Sequence, residues 1–402
     1  MRIAILNWSN RRFGGTGTYL STVMPALGTA GHDVALWHEV DRPSEHGILP
    51  VPAAAPIWSV STLGLEPAID ALREWQPDLL YAHGLLDPFV EKRALEVAPA
   101  VFFAHDYYGT CISGLKTFAN PVVTPCSRRF GWQCLLAYYP RRCGGLSPVT
   151  MVRQFRLQHD RLELLARYRA IVTHSTHMQQ EYVKHGLAPS RVVNVRYGAH
   201  LKACHRSFGT LRSKDQPWRL LFVGRMDRLK GGAELLQALP NVARRLGQAL
   251  QLTFAGDGPE RTAWESLATR LCEGESKIRA EFRGWIERDA IEGLYAQSDL
   301  LVLPSLWPEP LALVGLEAAR HHVPAVAFDV GGVSEWLTSG VNGILAPGDP
   351  PTVEGLATAI VAALRDPAIH ARLAEGAGKR SADFNFDLHV QQLLQLFENV
   401  VQ

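Results

Sequence analysis

Apolar runs of strand length alternate with helix-patterned stretches along the whole chain, and the alternation starts afresh near the middle. Strand-sized runs occupy residues 2–8, 33–37, 79–83, 101–105 and 170–174 in the first half. They recur at 219–223, 251–255, 278–283, 300–304 and 324–328 in the second. Their centres are continuously apolar, as expected where both faces of a sheet are covered by helices. Strands and helices in this order build parallel sheets. The expected fold class is α/β, with two Rossmann-like domains whose parallel sheets face each other across an inter-domain crevice. Ligands of such sheets sit outside the carboxyl ends of the strands, so the chemistry is expected in that crevice.

The 402 residues are too many for one ordinary core. The stretch 201–218 is polar, weakly periodic and contains Asp215-Gln-Pro217, which makes it the expected linker. The expected domains are 1–205, with a cysteine-bearing insertion at about 107–150, and 206–385. An amphipathic helix over 386–402 is expected to pack back on the first domain. No repeat of solenoid length is evident. A net charge of +2 gives no reason to expect a nucleic-acid partner. No apolar run reaches the ~20 residues needed to span a bilayer. The N-terminal Met-Arg-Ile-Ala-Ile-Leu-Asn-Trp is followed at once by a polar loop, so it reads as a strand rather than a leader. The expectation is a cytoplasmic protein with six reduced cysteines, contacting the inner membrane face at most peripherally.

Two segments carry the chemistry. In Leu221-Phe-Val-Gly-Arg-Met-Asp-Arg-Leu-Lys-Gly231 a strand ends at Gly224, and Arg225 and Lys230 follow on its loop. A guanidinium forks onto phosphate oxygens and an ammonium adds a point charge, so the pair suits a diphosphate. In isolation, such cations are as often solvated surface charges. The second segment is Leu303-Pro-Ser-Leu-Trp-Pro-Glu-Pro-Leu-Ala-Leu-Val-Gly-Leu-Glu317, a strand end, a turn and a helix. Pro310 fits the first helical position. The N–H groups of Leu311, Ala312 and Leu313 would then be open to a phosphate. Glu309 precedes this helix and Glu317 lies about two turns along it. Val314, Leu316, Ala318 and Ala319 make the helix look largely buried, where a carboxylate needs a partner.

Taken together, these residues resemble the family 4 (group 1) retaining glycosyltransferases of the GT-B fold. Gly224-Arg225…Lys230-Gly231 is similar to their diphosphate-binding pair, and Glu309-x7-Glu317 to their paired glutamates. Gly256-Asp-Gly-Pro259, Leu294–Asp299 leading into Leu300–Ser305, and Gly331-Gly-Val-Ser-Glu335 extend the resemblance, which is dense over 219–347 and looser before it. The resemblance implies transfer of a sugar from a nucleoside-diphosphate sugar to an acceptor hydroxyl, with retention at the anomeric carbon. It assigns the first domain to the acceptor and the second to the donor. It also implies that Arg225 and Lys230 hold the leaving diphosphate, Glu309 the sugar hydroxyls and Glu317 the ribose. Backbone at Gly284, Trp285 and Ile286 would meet the nucleobase, with Gly224 and Gly256 also lining the donor. At Leu311 the family more often has Phe.

In the first half, Phe13-Gly-Gly-Thr-Gly-Thr-Tyr19 lacks the G-x-G-x-x-G spacing of a dinucleotide site. The family places a Gly-Gly turn here, which assigns Gly14 and Gly15 to donor phosphate. His105-Asp106-Tyr107 ends the 101–105 run. A single histidine there is as readily a capping or core-edge residue. The resemblance puts His105 against the donor sugar, with Asp106 orienting its ring. His83 is a weaker candidate of the same type, and His174 reads as structural.

No Asp-x-Asp occurs, so no metal is expected to hold the diphosphate and no cofactor is required beyond the sugar donor. Cys111, Cys126, Cys134 and Cys143 lack the close C-x2-C pair of structural zinc sites. Packed thiols are the first reading and a zinc site the second. Arg128, Arg129, Phe130, Trp132, Tyr138, Tyr139, Arg141 and Arg142 interleave cations with aromatics. They suit an acceptor-sugar platform, a lipid headgroup surface or an ordinary solvated loop. Rival functions are a catalytically inactive nucleotide-sugar-binding protein and a nucleotide-sugar epimerase of the same fold. A phosphorylase would need a pyridoxal-phosphate lysine, for which no sequence case exists.

Overall fold

A computed structural model describes residues 1–12, 14–42, 47–52, 55–198, 216–274 and 277–402, with the side chains of 288 and 289 left aside. The chain divides into two compact units. Unit 1 comprises Met1–Lys116, Ser127–Tyr197 and Phe386–Gln402; unit 2 comprises Thr117–Cys126 and Gly198–Asn385. Most of the linker expected at 201–218 lies outside the described residues, as does Phe13 of the glycine-rich loop. Trp218, at the end of that stretch, already opens a strand.

Unit 1 is built on strands β1 (Arg2–Ser9), β2 (Asp33–Val40), β3 (Ile57–Ser59), β4 (Leu79–Ala82) and β5 (Ala100–Phe103). A short hairpin, β6 (Thr117–Phe118) and β7 (Thr124–Pro125), belongs by its contacts to unit 2. Strands β8 (Ala170–Thr173) and β9 (Val192–Asn194) complete unit 1. The helices are α1 (Gly14–Thr29), α2 (Val60–Leu63), α3 (Leu65–Glu74), α4 (Pro88–Ala94), α5 (Gln133–Tyr138), α6 (Pro148–Leu165) and α7 (Thr176–Lys184). The seven-stranded sheet runs β3-β2-β1-β4-β5-β8-β9 and all its pairings are parallel.

Unit 2 repeats the plan with β10 (Trp218–Val223), β11 (Leu250–Ala255), β12 (Ile278–Phe282), β13 (Leu300–Leu303), β14 (Ala325–Phe328) and β15 (Gly343–Ala346). Its helices are α8 (Gly232–Leu246), α9 (Arg261–Gly274), α10 (Arg288–Gln297), α11 (Leu313–Arg320), α12 (Val353–Leu364) and α13 (Pro367–Ser381). The parallel sheet runs β12-β11-β10-β13-β14-β15. The last helix, α14 (Phe386–Val401), returns to unit 1, where Phe397 packs on Tyr81.

All ten expected strands form, nine within a residue or two of the expected bounds and β2 three residues longer than expected. Missed were β3, β9, β15 and the β6–β7 pair. These strands are two to four residues long and half exposed or glycine-bearing, so they leave no continuous apolar run. No helix among the described residues is long and apolar enough to cross a membrane.

In each sheet the strand order reverses beside the unit's first strand. β1 is followed outward by β2 and β3 on one side, while β4 joins its other side; β10 likewise lies between β11 and β13. Loops leaving adjacent strands in opposite directions part there and leave a crevice for ligand. The two switch points are β1/β4 and β10/β13.

Candidate active site

The unit 2 switch point is flanked by the loops after β10 and β13. After β10 the chain passes Gly224, Arg225 and buried Met226, then makes one 3-10 turn over Arg228–Lys230. Asp227 caps that turn by accepting from the Leu229 N–H at 3.1 Å. Gly231 ends it with φ 71°, and a Cβ there would stand 1.8 Å from the Pro304 carbonyl oxygen. Only glycine lets the two loops approach this closely. They are tied by the Leu306 N–H donating to the Leu229 carbonyl at 2.7 Å.

This approach delivers Lys230 to Glu309. The Lys230 ammonium donates to Glu309 Oε1 at 2.6 Å, and the Ser305 hydroxyl donates to the same oxygen at 2.5 Å. Glu309 is 4% exposed, so its charge would be costly without those donors. The Lys230 ammonium also lies 5.1 Å from the centre of the Trp307 ring, over its face. Arg225 is exposed, its guanidinium 3.4 Å from Asp227 Oδ2.

The glycine motifs of unit 2 brace these loops. A Cβ on Gly256 would meet the Gly224 carbonyl at 2.0 Å, and one on Gly258 the Met226 carbonyl at 2.3 Å. Met226 N–H donates to the Asp257 carbonyl at 2.9 Å, and Glu260 N–H returns to the Met226 carbonyl at 3.0 Å. Gly331 pairs with Glu309 through a parallel bridge, and the Gly332 N–H donates to the Glu309 carbonyl at 2.6 Å. Gly331-Gly332 thus holds the glutamate's backbone. On the next loop, the Gly284 carbonyl accepts from the Gly256 N–H at 2.8 Å, while Trp285 is exposed and Ile286 half-buried.

Two expectations about this segment are corrected. Pro310 does not open the helix: α11 begins at Leu313, after Ala312 in the left-handed region at φ 68°. Leu311 is buried instead, and its carbonyl accepts from the Trp336 indole at 2.6 Å. Anchoring Leu311 inward forces the turn at Ala312 and delays the helix, so the first helical N–H groups are those of Leu313, Val314 and Gly315. Glu317 is half-buried rather than buried, and it has a partner. The Tyr295 hydroxyl, from α10, donates to Glu317 Oε2 at 2.9 Å.

In unit 1 the strand ends carry Asn7, His83, His105 and His174. Strand β5 stops at Phe103, two residues before His105. His83 Nδ1 and His105 Nε2 are hydrogen-bonded at 2.8 Å. Asp106, expected to orient the ring, is exposed, so the positioning partner is His83. The His105 ring packs against Phe103 and Tyr19, and His174 stacks on Phe103. From α14, His389 Nε2 lies 3.0 Å from the Tyr19 hydroxyl. Burial lowers all four imidazole pKa values: His83 and His389 to about 3, His174 to about 4, and His105 well below its ordinary value, with His83 and His174 adding to the effect. They are neutral at pH 7. Asn7 Oδ1 and His83 Nε2 are buried without a hydrogen-bond partner among the described residues, an unusual state for a side chain. Sequence reasoning missed Asn7 altogether; its signal is a polar residue closing the first apolar strand. Gly14, at φ 68°, and Gly15 open α1 and are exposed.

Among the described residues no three of His, Cys, Asp or Glu are placed to hold a metal ion. Cys111, Cys126, Cys134 and Cys143 therefore do not form there the zinc site that the sequence left open. Cys134 and Cys143 pack instead around Ile112, Phe130 and Tyr138.

The family model described as Glycosyltransferase Family 4 matches residues 13–201, and that described as Glycosyl transferases group 1 matches 217–366. A glycogen synthase of Mycobacterium tuberculosis is 28% identical over 431 residues, spanning 99% of this chain and 94% of that enzyme. A D-inositol 3-phosphate glycosyltransferase of Catenulispora acidiphila is 31% identical over 232 residues, 54% of each chain. Among solved structures, Anabaena HepE in complex with UDP and glucose superposes with a TM-score of 0.69 at 19% identity, covering 98% of this chain and 99% of that one. Two Rossmann-like units of the GT-B kind, matched in succession by two glycosyltransferase family models that together span most of the chain, establish that this chain belongs to the family 4, group 1 glycosyltransferases.

Proposed function

We propose that the chain transfers a sugar from a nucleoside-diphosphate sugar to an acceptor hydroxyl, of a glycan, glycolipid or small molecule, with retention at the anomeric carbon. The observation that carries this reading is the pairing of Lys230 with Glu309 at the β10/β13 switch point. An incoming diphosphate is a stronger attractant for the ammonium than one carboxylate. As Lys230 turns to it, Glu309 is released to accept hydrogen bonds from sugar hydroxyls. Donor binding then exchanges the ammonium's ion pair with Glu309 for one with the diphosphate, while Ser305 and the sugar hydroxyls keep the carboxylate hydrogen-bonded.

Arg225 and the N–H groups opening α11 supply further positive potential to the leaving phosphate, preorganised where charge develops. In this reading Glu317, held by Tyr295, accepts from the ribose, and backbone at Gly284–Ile286 meets the base. In unit 1 the neutral His105 and the unsatisfied Asn7 and His83 suit hydroxyls rather than phosphates. In the transfer, the bond from the anomeric carbon to the phosphate oxygen breaks and a bond to the acceptor oxygen forms on the same face. The acceptor's proton passes to the leaving diphosphate. The UDP and glucose bound by HepE support a donor of this class.

Incubating the purified protein with a panel of nucleotide sugars, scored for nucleoside-diphosphate release with and without acceptors, tests the reading. Release from none of them, with no binding detectable by calorimetry, would overturn it; binding without release would favour an inactive sugar-nucleotide-binding protein.

A further inference from the structure

Two chains of hydrogen bonds meet at the carboxyl edge of the unit 1 sheet, each with its direction set by a backbone carbonyl. The first runs through the aromatic core. The Arg196 carbonyl can only accept, so neutral His389 carries its ring proton on Nδ1, 3.1 Å away, and donates there. His389 Nε2 is then a lone pair that accepts from the Tyr19 hydroxyl at 3.0 Å, and Tyr19 in turn accepts from the Tyr81 hydroxyl at 2.6 Å. Both phenolic hydrogens are committed to this chain, although the two rings pack against His105 and His83.

The second chain begins at Asn7. Its Nδ2 donates to the Ser9 carbonyl at 2.7 Å, which fixes the other end of the amide, Oδ1, as an acceptor. That oxygen and His83 Nε2 are both buried without a partner among the described residues. The two side chains are neighbours. Strands β1 and β4 pair Leu6 with Ala82, and the His83 N–H continues the ladder by donating to the Leu6 carbonyl at 2.8 Å. Asn7 and His83 are therefore the next register positions and share a face of the sheet. A proton on His83 Nε2 complements the Asn7 oxygen, whereas a lone pair there would set two acceptors against each other.

A neutral imidazole has one ring proton. With that proton on Nε2, His83 Nδ1 is a lone pair, and the 2.8 Å bond to His105 is donated by His105 Nε2. The ring proton of His105 is thereby used. Its Nδ1 remains a lone pair, on a half-buried ring that makes no other hydrogen bond among the described residues.

We propose that Asn7 and His83 are positioning residues that hold His105 in the Nε2–H tautomer, so that its Nδ1 accepts from a hydroxyl of the bound sugar and turns away phosphate and carboxylate oxygens. The identity of that ligand rests on the sugar-transfer reading. A hydroxyl offers a hydrogen to the lone pair, whereas an ionised oxygen offers only further lone pairs. Burial keeps the ring neutral, so His105 orients the hydroxyl without removing its proton.

Nitrogen–proton correlation NMR of the full-length protein, labelled at the histidine rings, reads the tautomer; the His105 signals are those lost in His105→Gln. Wild-type His105 is expected with its proton on Nε2. His83→Phe keeps a ring beside Tyr81 and removes both nitrogens. His105 then becomes a mixture of tautomers, and kcat/KM for the best sugar donor falls about 10-fold, the worth of one hydrogen bond. Asn7→Leu, which removes the amide, loosens the tautomer in the same way. His83→Asn returns an amide oxygen near the place of Nδ1 and restores both the tautomer and most of the turnover. A wild-type His105 protonated on Nδ1, a tautomer unchanged in His83→Phe, or a His83→Phe protein with wild-type kcat/KM would each overturn the proposal. The tautomer is read without turnover, so a protein that transfers no sugar would sink the sugar-transfer reading and leave the positioning of His105 still measurable.

Discussion

Lys230 and Glu309 are 79 positions apart in sequence, yet their side chains meet at 2.6 Å because the two loops that carry them leave adjacent strands. The pair neutralises a buried carboxylate while leaving the ammonium partly open to solvent. Lys230→Ala is expected to lower turnover by 10²–10³-fold, the usual effect of removing one preorganised donor. Glu309→Gln keeps the shape and loses the charge; it should reduce turnover similarly while retaining nucleoside-diphosphate binding. Initial rates with the best donor of the panel, together with calorimetry against the nucleotide alone, check both.

The neutral imidazoles of unit 1 predict a specific pH dependence. A histidine whose folded pKa lies below its unfolded value binds more protons when unfolded. Its stabilising effect is complete above about pH 6.5 and declines as pH falls toward the folded pKa near 3 to 4 for His83, His174 and His389. Each costs about 1.4 kcal/mol per pH unit across that window. Denaturant titrations at a series of pH values should show stability flat above neutrality and falling below it. In His174→Phe, which preserves a ring against Phe103, the slope should be shallower; an unchanged slope would remove His174 from the account.

Gly231 offers a test of how the loops are joined. Alanine there would add a Cβ onto the Pro304 carbonyl at a residue already in the left-handed region. The expected cost is on the order of 2–4 kcal/mol. Denaturation should show this loss in Gly231→Ala, whereas Gly247→Ala, where nothing lies near the added atom, should lose about 1 kcal/mol from backbone strain alone.

Tyr295→Phe removes the hydroxyl that donates to Glu317 and keeps the ring. If Glu317 serves the ribose, the change should raise the donor KM severalfold, about 1 kcal/mol, and leave kcat near its original value. A fall in kcat with KM unchanged would assign Glu317 another role.

Much of the architecture is legible in the sequence because these sheets are covered on both faces. That makes β1, β4, β13 and β14 continuous apolar runs, whereas β15, opening on Gly343, gives no such signal. The loop residues Lys230 and Glu309 are legible as chemical types in a recurrent spacing. What the spacing cannot supply is tertiary. Ala312 takes a left-handed turn because Trp336, far along the chain, holds Leu311 inward, and that moves the start of α11. His105 is oriented by His83 from a neighbouring strand rather than by the adjacent Asp106, because strand ends converge in space and sequence neighbours point apart.

The return of α14 to unit 1 has a consequence for assembly. His389 and Phe397 close the aromatic cluster of Tyr19, Tyr81 and Phe103, residues made near the beginning of the chain. During synthesis these rings stay uncovered until all of Gly198–Asn385 has been produced. The first unit to emerge is therefore the last to be completed, and a ring-lined gap awaits its closing helix while unit 2 forms.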